Sequence, residues 1–429
     1  MSSLFSGFKV LSFAAGLSGW YTLFLKAASS IVSMEAERTN DRQVQDSTES
    51  GNGIQDPLAW AVAELVRQVQ IPSFSGEEAL FTEYLCRRCE ELDFHVVRDS
   101  VSPDRDNLIV GWTDKPTLAL MAHTDTIRPR WEHSGKAEIR GTEVWGLGAV
   151  DDKGSIVALL LGLVLAREAG VPLQRLPMIV AFTVDEEGDG TGSLALARTF
   201  GPRYALVLEG TGLDLAVAEA GHLDVRVVVR GTSVHTGEFE HGDSALEKAA
   251  RLVTELNGLP LAEHFDPLIG RSAFNAISFH SGTSELNALP DRAELYLVGR
   301  LGRGLSVRQA LDQLRTLGDR YDAEVILVDT PVPGLMECSE PIETPESSPL
   351  LGILQQEISE IIGHPPRLFG THSWTDAHNL FEAGAQTAVF GPGDPKTAHG
   401  KNEHIDVRQI VLCARIIRGI LIRLWREDL

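Results

Sequence analysis

Helical and strand-like patterns of apolar residues alternate along the first part of the folded body. The helical patterns repeat every three to four residues, whereas the strands are short apolar runs of the kind buried on both faces of a sheet. The predicted helices are 57–70, 77–92 and 153–168, and the predicted strands are 117–121, 178–184 and 204–208. Such alternation predicts an α/β fold in which helices flank a mostly parallel sheet.

The pattern changes between about Gly221 and Val332. Segments 223–229 and 293–301 alternate apolar and polar residues, as half-solvated antiparallel strands do, with helical stretches at 244–256 and 306–317. After that region the helix 350–362, the apolar run 387–390 and a helix from Asp406 restore the first pattern. We therefore predict a catalytic domain in two parts, 56–220 and 333–429, with an inserted α+β domain at 221–332.

The N-terminal residues have a different character from the body. Residues 1–34 contain no acid and include an uncharged run from Val10 to Leu25 that is short for a membrane span. A signal, an anchor, a targeting segment and a mis-assigned start before Met34 all stay open. Residues 35–55 are polar and predict a linker. We expect a cytoplasmic protein, with export or membrane anchoring through residues 1–34 as the alternative.

Charge and cysteine content exclude some classes of function. Thirty-eight basic against 60 acidic residues give a formal charge of −22, which would repel phosphate backbones, so we expect no nucleic-acid partner. Cys86 and Cys89 have the spacing of a redox or zinc half-site. They fall within a helical pattern, however, and no second pair completes a zinc site, so we predict no chemistry there.

Polar residues that could bind metal follow the predicted strands or open a predicted helix. In a parallel sheet the carboxyl ends of the strands meet at one edge, where ligands bind. Each residue alone could belong to a turn, a helix N-terminus or a solvated loop. Together, two imidazoles and three carboxylates would suit two divalent zinc-like ions with one bridging carboxylate. The candidates are His123 and Asp125, Asp151 and Asp152, Glu186 and Glu187, Glu209, and His399.

The order of the motifs resembles a known family, the dinuclear zinc amidohydrolases that include aminoacylase, acetylornithine deacetylase, succinyl-diaminopimelate desuccinylase, carboxypeptidase G and several di- and tripeptidases. The resemblance covers the chain from about Asp56 to the C-terminus. It rests on Gln70–Glu77, Met121–Asp125, Gly146–Gly154, Thr183–Gly188, Gly231–His235, Glu285–Asp291 with Arg300, Thr375–Ala377 and Gly391–Glu403.

The resemblance implies the role of each catalytic residue. The metal ligands would be His123, Asp151, Glu187, Glu209 and His399, with Asp151 bridging two ions, Zn²⁺ in preference to Co²⁺. Asp125 would orient the ring of His123. Glu186 would be the general base that takes a proton from a metal-bound bridging water and returns it to the leaving amine.

The inserted domain carries further residues that the resemblance implicates. His235 would reach the oxyanion of a partner subunit's substrate, which requires a homodimer formed through residues 221–332. Asn287, Arg300 and Thr375 would bind substrate, and arginine suits bidentate recognition of a carboxylate.

The substrate class stays open within this family. Its deacylases tend to have Glu at the position of Glu209, whereas its dipeptidases and carboxypeptidases tend to have Asp. The sequence therefore favours a small N-acyl amino acid over a short peptide. A catalytically silent homologue is the remaining alternative, but it would normally lack a ligand or the base, and the chain has all six residues.

Overall fold

The computed structural model describes residues 49–50, 53–111, 113, 115–131, 135–282, 287–328 and 338–427. The chain divides into two units, Met1–Asp56 and Pro57–Leu429. The described residues of the first unit pair as an antiparallel ribbon of strands β1 (Glu49–Ser50) and β2 (Gly53–Ile54). The predictions for residues 1–34, and most of the predicted linker at 35–55, lie outside the described residues.

Every helix and strand predicted for the second unit is present, and no predicted end is displaced by more than two residues. The α-helices are α1 (Pro57–Val69), α2 (Ala79–Glu91), α3 (Lys153–Glu168), α4 (Thr191–Phe200), α5 (Ala245–Glu255), α6 (Pro260–Glu263), α7 (Val307–Asp319), α8 (Pro349–Ile362), α9 (Ala377–Glu382) and α10 (Val407–Glu427). Short 3₁₀ turns lie at Leu173–Arg175, Thr236–His241, Leu256–Gly258 and Pro395–Thr397.

The strands of the second unit are more numerous than the sequence pattern predicts, because many are only two to four residues long. They are β3 (Val96–Ser102), β4 (Arg105–Gly111), β5 (Leu118–His123), β6 (Glu138–Arg140), β7 (Glu143–Trp145), β8 (Met178–Thr183), β9 (Tyr204–Val207), β10 (Leu215–Glu219), β11 (Gly221–Arg230), β12 (Phe265–Asp266), β13 (Gly270–Arg271), β14 (Ala273–Ser281), β15 (Arg292–Leu301), β16 (Ala323–Leu327), β17 (Cys338–Ser339), β18 (Ile342–Glu343), β19 (Leu368–Thr371), β20 (Gln386–Val389) and β21 (His404–Asp406).

The larger sheet has nine strands in the order β18-β10-β20-β9-β5-β8-β4-β3, with β19 also paired to β10. Its four central strands, β20, β9, β5 and β8, are parallel and fully or largely buried. The hairpin of β3 and β4 adds antiparallel strands on one side. The α/β class is therefore confirmed, and the sheet is mixed: its four central strands are parallel, β19 also pairs parallel with β10, and the other pairings are antiparallel.

Helix α3 lies against this sheet and explains the longest apolar run of the body. It is buried over nearly its whole length and packs against α1 and α10. None of the helices in the described ranges is both long enough and apolar enough to cross a membrane. Cys86 and Cys89 lie together in α2 without a disulfide, and Cys89 is buried, as expected for cysteines with a packing role.

A second sheet is built from strands between Gly221 and Ser339. Its order is β14-β15-β11-β16, all antiparallel, with β17 also paired to β11. Alternate residues of β11 and β15 are buried in one hydrophobic core with the apolar faces of α5 and α7. The opposite face of the sheet is polar at positions such as His222 and Arg300, which pair across β11 and β15.

A continuous antiparallel ribbon connects the two sheets. Strands β10 and β18 pair Ala218 with Glu343 in the larger sheet, and β11 and β17 pair His222 with Ser339 in the second sheet. Both pairs have the same register, because the step of four residues from Ala218 to His222 matches the step of four residues back from Glu343 to Ser339. Gly221 permits the close approach, since a β-carbon there would meet Ser339 and Pro341.

Candidate active site

Three predicted metal ligands meet at the carboxyl edge of the central strands. His123 is the last residue of β5, and its Nε2 lies 2.8 Å from Oδ1 of Asp151 and 3.5 Å from Oε1 of Glu209. Asp151 lies just before α3, and Glu209 follows β9. One ligand atom from each residue falls within 4.8 Å of the others, which is the spacing of a metal site.

A second group shares Asp151 with the first. Nε2 of His399 lies 2.7 Å from Oε1 of Glu187 and 3.0 Å from Oδ2 of Asp151. Because Oδ1 of Asp151 faces His123 and Oδ2 faces His399, its two oxygens point into different groups. The structure thus brings together all five residues that the sequence predicts as ligands, with Asp151 common to both groups.

The electrostatics of the two groups fit divalent cations. Burial raises the pKa of Glu209 and of Glu187, and neighbouring carboxylates raise both further. Hydrogen bonds to Asp151 and Glu187 raise the pKa of His399 to about 10. Crowded carboxylates therefore attract positive charge here, and a mixed nitrogen and oxygen donor set suits Zn²⁺ and similar ions.

Asp125 is buried and connects the first group to the loop that carries the second. Its Oδ1 and Oδ2 accept the backbone N–H groups of Glu186, at 3.1 Å, and Glu187, at 3.0 Å, and Oδ2 also accepts the hydroxyl of Ser75. Nδ1 of His123 lies 3.0 Å from the carbonyl oxygen of Asp125. Burial opposes its ionisation, but hydrogen bonds from His123 and Ser75 prevail and lower the pKa of Asp125. Its geometry is that of a residue that orients a ligand.

Glu186 lies beside both groups without being part of either. Its Oε2 is 4.0 Å from Nε2 of His123. Burial raises the pKa of Glu186 well above its ordinary value, and the nearby charges of Asp376 and Glu187 add to the effect. A carboxylate with a raised pKa holds a proton more readily than an exposed one, which suits a group that accepts a proton and later returns it.

Sequence reasoning missed the network that supports the Glu186 loop. The guanidinium of Arg105 binds Glu78 and also donates to Oδ1 of Asp185, at 2.7 Å. Asp185 has a positive φ of 71°, and its other oxygen accepts the hydroxyl of Thr191. Arg105 therefore fixes the residue that precedes Glu186. Glu78 adjoins the first motif, but the sequence carries no signal for Arg105.

Glu403 ends the last motif of the sequence, which assigns it no role, and its contacts in the structure give it one. Its Oε1 accepts the backbone N–H groups of Val150, at 3.0 Å, and Asp151, at 3.2 Å. Burial, with Asp151 nearby, raises the pKa of Glu403 to about 7. It thus positions the backbone of the shared ligand from the opposite end of the chain.

The predicted substrate residues are placed less uniformly. Thr375 lines the cavity beside the ligand groups and donates a hydrogen bond of 2.5 Å to Oε1 of Glu219. Arg300 lies on β15, and its buried Nη1 has no hydrogen-bond partner among the described residues. His235 and Asn287 are exposed and lie in the loops that follow β11 and precede β15, where the N–H of Thr236 donates to the carbonyl oxygen of Asn287. The described lining of the cavity includes none of Arg300, His235 and Asn287.

The cavity has a volume of about 240 Å³. Its floor is formed by Asp151, Glu186, Glu187, Glu209 and His399. Segment 369–375 and the loop around Ala398 form the walls. The ligand groups and the predicted base therefore border one space of small-molecule size.

Comparisons with known proteins identify a family and several similar chains. The model of peptidase family M20/M25/M40 matches residues 119–423. A putative [LysW]-lysine/[LysW]-ornithine hydrolase of Pyrobaculum aerophilum is 28% identical over 365 residues, which cover 83% of this chain and 96% of that protein. A succinyl-diaminopimelate desuccinylase of Alkalilimnicola ehrlichii is 25% identical over 395 residues, covering 86% of this chain and 99% of that one.

Among solved structures, a tripeptidase from Staphylococcus aureus has a similar fold. It superposes with a TM-score of 0.72 at 19% identity and covers 86% of this chain and 99% of its own. At that identity the likeness establishes the fold.

Proposed function

The chain belongs to peptidase family M20/M25/M40, and from that premise we propose that it removes the acyl group of an N-acyl amino acid with Glu186 as general base. Members of the family hydrolyse amide and peptide bonds, so the protein is a hydrolase of that class. The observation that carries the proposal is the shared carboxylate of Asp151 between two ligand groups, with Glu186 beside both.

The family depends on two metal ions. The residues that would hold them are His123, Asp151 and Glu209 for one ion and Asp151, Glu187 and His399 for the other. We assign Zn²⁺ to both positions, with Co²⁺ as the alternative, because imidazole and carboxylate donors suit these ions. Bound there, the two ions would polarise the amide carbonyl and acidify a water molecule.

The side chains of the protein would supply the remaining steps. Glu186 accepts the proton of the attacking water and returns it to the nitrogen of the leaving amine. Asp125 keeps the proton of His123 on Nδ1, which leaves Nε2 free for coordination. Arg105 holds the Glu186 loop through Asp185, so the carboxylate of the base meets the reacting atoms in a fixed position.

Two observations favour a deacylase. Glu209 stands at the ligand position where the resemblance associates Glu with deacylases. Two relatives are named as a putative [LysW]-lysine/[LysW]-ornithine hydrolase and a succinyl-diaminopimelate desuccinylase. The second candidate is a dipeptidase or carboxypeptidase, favoured by the family description. A silent homologue has the least support, because all five ligands and the base are together.

A substrate panel tests the proposed function. Protein loaded with Zn²⁺ or Co²⁺ should hydrolyse N-acyl amino acids with a higher kcat/KM than dipeptides that share the same C-terminal amino acid. Release of the free amine would be followed for both sets, and chelator-treated protein would serve as the control. Faster turnover of the dipeptides would contradict the deacylase assignment and leave the peptidase candidate.

We also propose that residues 221–332 form the surface of a homodimer. Strand β14 is the edge of the second sheet, and Ile277 and Phe279 on it are 62% and 40% exposed. Exposed apolar residues on an edge strand, whose outer side has no partner strand in the described part of the chain, favour pairing with another strand. A second copy of the chain could then bring its exposed His235 to the active site, where an imidazole would stabilise the oxyanion.

Mixing two inactive variants tests this assignment of His235. His235→Ala alone should lower the rate by about 10²–10³-fold, as removal of an oxyanion donor does. If His235 acts across the dimer, mixed dimers with Glu186→Gln subunits contain one intact site, and random equal mixing should restore about a quarter of the wild-type rate. No recovery after confirmed subunit exchange would show that His235 does not act in the partner's site.

A further inference from the structure

The residues that line the cavity beside the ligand groups form two chemically different sets. One set is the carboxylates of the ligands and of Glu186. The other set is aromatic and hydroxyl side chains from β19 and the loop after it, including Phe369, Trp374 and Thr375. Among the described lining residues there is no lysine or arginine, and the imidazole of His399 is already bound to Asp151 and Glu187.

Two hydroxyl groups of the cavity cannot donate to a bound anion. A threonine hydroxyl has one proton. That of Thr375 goes to Glu219, and that of Thr211 goes to the carbonyl oxygen of Asp214, at 2.7 Å. Both side chains therefore offer only lone pairs to the cavity. A carboxylate in the cavity could therefore meet the hydroxyl groups of Thr371 and Ser373, but no lysine or arginine among the described lining residues.

Trp374 gives the cavity a fixed aromatic wall. Its indole packs over Gly190, where a β-carbon would clash with the ring, and Gly190 has a positive φ of 64°. The amide of Asn379 holds the carbonyl oxygen of Gly190 at 3.0 Å, and the ring of His378 lies 6.3 Å from the indole. The wall is thus tied to the loop that also carries Glu186 and Glu187.

From these features we infer that the cavity takes the acyl half of the substrate and selects an uncharged, apolar acyl group over one that ends in a carboxylate. The inference rests on the proposed function. An N-acyl amino acid always carries a carboxylate on its amino acid half, so a cavity without a cation suits the acyl half. The charge of two divalent ions would only balance the four carboxylates of Asp151, Glu186, Glu187 and Glu209. A further carboxylate that leaves water for a site without a cation of its own is disfavoured.

Butyryl and succinyl groups form a matched pair for the test. They have the same chain length, but butyryl ends in a methyl group and succinyl ends in a carboxylate. On one common amino acid, the metal-loaded enzyme should hydrolyse the butyryl compound with a kcat/KM at least about 100-fold higher. Equal values, or a preference for succinyl, would overturn the inference.

Binding to a variant that does not turn over separates this inference from the proposed function. Calorimetry with metal-loaded Glu186→Gln protein should give an affinity for the butyryl compound at least about 30-fold above that for the succinyl compound. Equal affinities would contradict the selection even if the enzyme is a deacylase. Lack of turnover of every acyl amino acid by the wild-type enzyme would overturn the proposed function, and the calorimetric comparison would still decide the selection.

Variants of Trp374 test the aromatic wall. Trp374→Ala should lower kcat/KM for an N-phenylacetyl substrate by about tenfold more than for the N-acetyl substrate, because a larger acyl group contacts more of the indole. Trp374→Phe should retain most of the difference, and Trp425→Ala, at an exposed tryptophan of α10, should leave both values unchanged. Equal losses for the two substrates would mean that Trp374 supports the loop and does not contact the acyl group.

Discussion

Replacement of Glu186 by Gln should lower kcat by about 10²–10⁴-fold while the protein keeps its metal. The amide has nearly the shape of the carboxylate but cannot accept the proton of the attacking water. Because Glu186 belongs to neither ligand group, its loss removes no donor atom from them. Steady-state rates and elemental analysis of the same preparation measure the two effects.

The control for this result is Glu90→Gln, at an exposed residue of α2, which should keep both rate and metal. Substantial residual activity of Glu186→Gln would show that another group is the base. A parallel loss of metal and activity would show that Glu186 is a ligand.

The second large effect concerns the ligand that the two groups share. Asp151→Asn should reduce the metal content from about two ions per chain to near zero, whereas His399→Ala should leave about one. The reason is that Asp151 offers one oxygen to each group, and His399 belongs to one group only. Activity should fall by several orders of magnitude in both variants, because each lacks at least one ion.

Elemental analysis after dialysis against metal-free buffer distinguishes these outcomes. His364→Ala, at an exposed histidine far along the chain from the ligands, should keep the full content. Loss of a single ion from Asp151→Asn would mean that the carboxylate serves one position and does not bridge.

Residues of the ligand groups could be predicted because they lie at the ends of helices and strands that the adjacent apolar residues of the sequence define. His123 ends a strand, and Glu187 and Glu209 follow strands, whose apolar residues are visible in the sequence. Parallel strands bring these ends to one edge of the sheet. The contact of Arg105 with Asp185 depends on the register of β4 and β8, which the sequence pattern does not reveal. Leu108 pairs with Phe182 across β4 and β8, and three further steps bring Arg105 opposite Asp185.

The mixed character of the larger sheet escaped the sequence pattern for a related reason. Strand β4 is as apolar in its second half as a central parallel strand, so its residues do not reveal that it runs antiparallel to β8. The short strands β18 and β19 have too few residues to show a period at all. Pattern identifies a buried strand, but its direction depends on connections that only the folded chain reveals.

The ribbon that joins the two sheets makes the entry and the exit of residues 221–339 adjacent. Because Ala218 pairs with Glu343 and His222 pairs with Ser339 in one register, the second sheet is joined to the larger sheet by a two-stranded antiparallel ribbon. A two-stranded ribbon bends with difficulty in the plane of its hydrogen bonds and twists more readily, so rotation of the second sheet relative to the larger one should be mainly a twist of the ribbon. The pairing of Glu219 with Ile342 also means that a tight turn between these two residues could replace residues 220–341.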